Sequence, residues 1–118
     1  MILLQKGDVV LAHFPFSDLL NTKLRPAIVL CLSTVNQEVT VCFITSKNAD
    51  PLSTDEFLIH PSDTDFQATG LKVVSKVRVT KIVTLERKLI TRKLGELDKG
   101  YRSTLNTIII QAFQLNEI

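Results

Sequence analysis

Two short apolar runs set close together leave this chain few ways to fold. Residues 27–31 (AIVLC) and 39–44 (VTVCFI) are brief and rich in β-branched side chains. That length and composition argue for buried strands rather than helices. The connection between them, residues 32–38, is polar, contains Asn36 and is short enough for a hairpin. Antiparallel pairing then brings Arg25, at the head of the first run, and Thr45, at the far end of the second, to the same sheet end. Pro26 biases Arg25 toward extended geometry. A fixed guanidinium and a hydroxyl meeting there make a small anion-facing site. The same pattern also fits a surface charge on a strand edge beside a β-forming threonine.

The rest of the chain reads as further strands and one helix. Residues 2–4 suggest a lead-in strand, Gly7-Asp8 a turn and residues 9–14 a strand, which Pro15 ends by removing a ladder donor. A loop then runs from Phe14 to about Leu24 and leads into Arg25. Loops of that length between strands are often functional. Phe14 suits the core, whereas Phe16 suits equally a place in the core or a stacking contact with a base. Asp50-Pro51 marks a turn, 57–59 a short strand and 62–69 a loop closed by Gly70. Residues 71–85 carry the longest β signal. Val77 and Val79 alternate with Arg78 and Thr80, and the apolar phase then slips by one residue to Ile82, the mark of a bulge that helps a small sheet close. Residues 89–94 give one more strand or a short turn. A helix is expected from about Asp98, as N-cap, to Leu115, with Tyr101, Leu105, Ile108, Ile109 and Ala112 on one apolar face and Ile110 opposite it.

A length of 118 residues, with 45% hydrophobic and 22% charged residues, suits a single globular domain over residues 1–118. No apolar run approaches the ~20 residues needed to cross a bilayer. Residues 1–6 lack the features of a signal peptide, so a cytoplasmic location is expected, with no membrane partner. Cys31 and Cys42 both fall in expected buried strands and read as inert small hydrophobes. No Cys/His spacing suggests a metal site and no glycine-rich phosphate loop is present, so neither metal nor cofactor is expected. The net charge is only +2, but Lys72, Lys76, Arg78, Lys81, Arg87, Lys88, Arg92 and Lys93 share one stretch with Glu86 as its single acid. Such a segment points to a phosphate-bearing partner, or to a solvated β-face.

Gly7-Asp8-Val9-Val10, Arg25-Pro26-Ala27-Ile28-Val29 and Ile44-Thr45-Ser46 together resemble the PemK/MazF family of bacterial toxins. Gly70-Leu71, Ser75, Ile82, Thr84, Leu89, Arg92, Leu94-Gly95 and Leu97 follow in that family's order, so the resemblance spans roughly residues 5 to 115. It implies a mainly β fold, an SH3-like barrel of the PemK/MazF/CcdB type with a C-terminal helix. It also implies a homodimer that cleaves single-stranded mRNA without metal, restrained by a cognate antitoxin whose acidic tail is initially disordered. One departure stands out: residues 16–24 contain no glycine, where the family's loop commonly has several.

The resemblance implies catalytic roles for Arg25 and Thr45. Phe16, Ser17, Ser46, Lys72, Ser75 and Arg78 are the candidate substrate contacts, with His13 a further one beside the loop. The chemistry implied is attack of an RNA 2′-OH on the adjacent phosphate. Such a substrate brings its own nucleophile, so the protein supplies positioning, proton transfer and charge stabilisation. Two other functions fit the same fold: a binding module for nucleic acid or protein that does not cleave, and a toxin directed at DNA gyrase.

Overall fold

The computed structural model describes residues 3–14, 23–49 and 51–116. They form six strands and one helix: β1 Asp8–Phe14, β2 Lys23–Leu32, β3 Glu38–Thr45, β4 Glu56–Ile59, β5 Ser75–Glu86, β6 Ile90–Glu96 and α1 Lys99–Ala112. The strands make one sheet in the order β4-β5-β3-β2-β1-β6, with every neighbouring pair antiparallel. The expected mainly β architecture with a C-terminal helix is what the chain adopts. The β2–β3 hairpin lies at its centre, with Ala27 opposite Phe43 and Val29 opposite Val41.

Both faces of the sheet are buried, which is why its strands read as continuous apolar runs. Val9, Ile28, Cys42, Ile44, Val77 and Val79 join Leu97, Tyr101, Leu105 and Ile108 in a core beneath α1. Val10, Ala12, Phe14, Ala27, Val29, Val39 and Val41 point the other way, into a second core closed by Leu85 and Ile90. Phe14, only 3% exposed, is a core residue as its sequence context suggests. Asp98 accepts a hydrogen bond from the Lys99 N–H and caps α1 as expected. A cap is worth about 1 kcal/mol, whereas fully burying one side chain such as Leu105 contributes about 1.5–3 kcal/mol. Packing, more than capping, therefore holds the helix down.

Several expectations need correction. Cys31 is exposed, as is Leu32 beside it, because both stand at the end of β2 beyond the buried run Ala27–Val29. Cys42 is buried, and burial pushes its thiol up to about 12. Ala112 is exposed at the helix end. Leu3 and Leu4 lie outside any strand, residues 71–74 precede β5 rather than belong to it, and the loop before Gly70 contains a 3-10 turn at Gln67–Thr69. The β5 irregularity is larger than one residue. Cys42 pairs with Ile82 and Phe43 with Arg78, leaving Val79, Thr80 and Lys81 without partners on β3. The Val79 N–H instead donates to the Asp55 carbonyl, and the Thr80 hydroxyl donates to the Asp55 carboxylate. That carboxyl is held below its ordinary range by the hydroxyls of Ser53 and Thr80.

Asp8 is more than a turn residue. It is fully buried, accepts the Gln5 N–H at 2.9 Å and pairs with Lys93 of β6 at 3.3 Å. The Asp8 contact holds the Lys93 ammonium above its usual range. This pair fastens the start of β1 to the edge strand.

The 3-10 turn crosses β6 so closely that only glycines fit. A Cβ on Gly95 would stand 2.2 Å from the Ala68 carbonyl oxygen, and one on Gly70 2.0 Å from that of Leu94. Both obstacles are backbone, which cannot rotate away. Gly95→Ala is therefore expected to destabilise the protein by about 2–4 kcal/mol. Thermal unfolding followed by circular dichroism checks this. A melting temperature within about 2 °C of the unsubstituted protein, far less than such a loss produces, would refute the close packing.

Candidate active site

Side chains alternate along a strand, and cross-strand partners share a face. Arg25 pairs with Ala12 of β1, and Thr45 pairs with Lys76 of β5. One pleat inward, Ala27, Phe43, Arg78 and Glu56 stand opposite one another across β2, β3, β5 and β4. Thr45, Lys76, Phe43 and Arg78 thus form two adjacent rows at one sheet end.

Two hollows open there, and Arg25 and Thr45 line both. One, about 350 Å³, is also bounded by Leu24, Ser46, Lys72 and Ser75. The other, about 330 Å³, is bounded by Phe43, Lys47, Asn48, Lys76 and Arg78. The expected meeting of guanidinium and hydroxyl at one sheet end is present. So are four of the six candidate contacts: Ser46, Lys72 and Ser75 in the first hollow, Arg78 in the second. Phe16 and Ser17 lie outside the described residues.

Hydrogen bonding assigns these groups different capacities. The Thr45 Oγ1 accepts the Lys47 N–H at 3.1 Å, which leaves its own proton to be donated. Ser75 is buried and its hydroxyl donates to the Val73 carbonyl at 2.9 Å, so that proton is already used. Arg25 is exposed, and among the described residues no carboxylate stands within ion-pair distance of it. Its charge faces outward, available to an anion.

Four residues were not singled out from sequence as site contributors. Lys76 faces Thr45 directly, Lys47 and Asn48 follow the strand end, and Glu56 organises the cations behind them. Its side chain, 8% exposed, lies 3.3 Å from the Lys76 ammonium and 3.2 Å from Arg78 Nε. The Ser53 N–H, donating at 3.0 Å, and then Lys76 hold the Glu56 carboxyl below the usual carboxylate range. The alternation of Lys76 and Arg78 is visible in the sequence, but their place beside Thr45 depends on a register set some thirty residues away.

The basic stretch is divided by the fold. Lys76 and Arg78 reach the site, whereas β6, with Arg92 and Lys93, is separated from β5 by three strands. Lys93 is engaged by Asp8, and Lys88 lies 3.2 Å from Glu86. His13 is half-buried opposite Leu24, and its Nδ1 has no hydrogen-bond partner among the described residues. The exposed His60 ring accepts the Ser62 N–H at 3.0 Å, a turn contact away from both hollows.

Fold and site together define a small antiparallel β protein with a donor-rich, cationic sheet end. A family profile described as PemK-like, MazF-like toxin of type II toxin-antitoxin system matches residues 5–113. The chain belongs to this family of MazF-like endoribonuclease toxins. A search of curated proteins found no match. Among solved structures, an endoribonuclease in complex with its cognate antitoxin from Mycobacterial species aligns with a TM-score of 0.72 at 17% identity, over 96% of this chain and 97% of that one. Mycobacterium tuberculosis toxin MazF-mt6 aligns with a TM-score of 0.68 at 23% identity, over 91% and 96%. MazF from Deinococcus radiodurans gives 0.68 at 18%, over 97% and 99%. These alignments bear on the fold.

Proposed function

We propose that this protein, acting as one domain over residues 1–118, is a sequence-selective, metal-independent endoribonuclease toxin that cuts single-stranded RNA in the cytoplasm. The observation that carries the proposal is the joint lining of two hollows by the Arg25 guanidinium and the Thr45 hydroxyl. Family membership supplies the reaction class. In the proposed step the RNA 2′-oxygen bonds to the adjacent phosphorus and the bond from phosphorus to the 5′-oxygen breaks. The 2′-OH loses its proton and the departing 5′-oxygen gains one. The products are a cyclic phosphate and a 5′-OH end.

Arg25 suits the phosphorane, because its planar fork binds two phosphate oxygens at once. It does not serve as the resting base, since arginine stays protonated. Thr45 has a proton to give to a phosphate oxygen or to orient the 2′-OH. Lys76, opposite Thr45 on β5 and steadied by Glu56, adds a further cation to the site. Ser46 and Lys72 line the path on one side of the pair and Arg78 on the other. Long single-stranded RNA incubated with the purified protein tests the proposal through its product ends. Cyclic phosphate and 5′-OH termini are expected; intact RNA, or 5′-phosphate termini, would refute it.

The functional unit proposed is a symmetric homodimer, the commonest closed arrangement for like subunits. Light scattering is expected to give twice the 13.2 kDa chain mass, and a monomer at tens of micromolar would contradict this. The partner proposed is a cognate antitoxin with an acidic tail that competes with RNA for the cationic sheet end. Its affinity should fall as salt rises. A co-produced protein that binds tightly yet leaves cleavage untouched would exclude it.

A further inference from the structure

The hollow over Phe43 has a makeup that phosphate binding alone does not require. Phe43 is half-buried, and Phe14 packs against its ring from within, with centroids 4.3 Å apart at 60°. Phe43 also lines the hollow, offering part of an aromatic surface to an occupant. Around it stand Lys47, Asn48, Lys76 and Arg78, together with the Arg25 and Thr45 pair, and no carboxylate is among the described lining residues. Lysine and arginine only donate hydrogen bonds. An aromatic floor under a wall of donors suits a flat π-system whose edge carries acceptors.

We propose that this hollow is a guanine subsite, taking the base next to the phosphate held by Arg25 and Thr45. The inference rests on the functional reading above and adds to it the chemical identity of one flanking nucleotide. Thr45 and Phe43 are two residues apart on β3, hence roughly 7 Å apart on one face. That is the reach from a phosphate to the base of its own nucleotide. The volume of about 330 Å³ has room for one purine with its sugar.

Arg78 selects the base. Its Nε is tied to Glu56 Oε2 at 3.2 Å, which fixes the guanidinium plane beside Phe43 and leaves the terminal amino groups for a ligand. Guanine presents two adjacent acceptors, O6 and N7, to such a fork. Adenine presents the N6 amino group at the same place, and cytosine its N4 amino group, so each sets a donor against a donor. Asn48 adds an amide able to meet a further polar atom of the base.

The test measures binding without needing cleavage. Short single-stranded oligodeoxycytidylates carrying one central guanine, adenine or 7-deazaguanine are titrated against the purified protein by fluorescence anisotropy. The guanine oligonucleotide is expected to bind at least about tenfold tighter than the other two, the scale of one bidentate base contact. Arg78→Lys keeps the charge and loses the fork, so it should abolish the preference. Phe43→Leu should weaken binding of all three purine oligonucleotides, and circular dichroism of both variants checks their folding. Equal affinity for guanine and adenine, or a guanine preference that survives Arg78→Lys, would overturn the proposal. Failure of the two readings is distinguishable. Guanine preference without RNA cleavage would refute the nuclease and leave the subsite standing, whereas cleavage without the preference would refute only the subsite.

Discussion

Arg25→Ala is expected to lower cleavage of single-stranded RNA at least ~100-fold while leaving the protein folded, and Thr45→Ala to do the same, each on the scale of losing one preorganised transition-state donor. Arg25 is exposed, it pairs with β1 through its backbone, and no described carboxylate depends on it. Its removal takes charge from the site without opening a core. Thr45 is half-buried, and its only described side-chain bond is to the Lys47 N–H. Losing that bond costs about 1 kcal/mol of stability, too little to unfold an ordinary domain. Arg25→Lys separates charge from shape: it keeps the cation and loses the fork, so cleavage should fall less than in the alanine variant yet stay well below normal. Circular dichroism and initial cleavage rates are the measurements. A folded Arg25→Ala protein that cuts RNA at a near-normal rate would remove Arg25 from the chemistry.

What the sequence made legible follows from how local each signal is. The central hairpin is written in adjacent residues: two β-branched runs, a polar connection of hairpin length, and Pro26 beside Arg25. Its consequence, that Arg25 and Thr45 share a sheet end, needs only antiparallel pairing and holds in the structure. The helix was legible for a similar reason, since Tyr101, Leu105 and Ile108 recur at helical spacing and are all buried.

Longer-range features were partly hidden. The phase slip around Val79 is visible, but that three residues leave the β3 ladder depends on Asp55, which takes up Val79 and Thr80 from the turn just before β4. Asp8 looks like an ordinary turn residue until Lys93 arrives from the opposite end of the chain. Cys31 reads as buried because its run is apolar, and only the fold shows that cover ends before it, since Leu32 beside it is exposed too. Lys76 reads only as one cation of the basic stretch, because its place opposite Thr45 depends on a pairing that spans thirty-one positions of chain, and Glu56 gains its role only from that same pairing. Gly70 and Gly95 are plain in the sequence, yet the backbone crossing that demands them is a tertiary fact.

The central claim is that the substrate brings its own nucleophile and the protein holds the phosphate. One chimeric oligonucleotide addresses it most directly: an RNA that the protein cuts, with a single 2′-deoxy sugar on the nucleotide 5′ to the cut, assayed in excess EDTA beside the all-ribose parent. Without that hydroxyl no oxygen is poised to attack the phosphorus, so cleavage at the site is expected to vanish. Arg25, Thr45 and Lys76 still meet the same phosphate, so binding should change little. The parent RNA should be cut at full rate in EDTA, because the proposed charge stabilisation comes from side chains. Resistance of the chimera with retained binding and a fully cut parent is the predicted result. Cleavage of the deoxy substrate, or cutting of the parent only once magnesium is restored, would contradict the account.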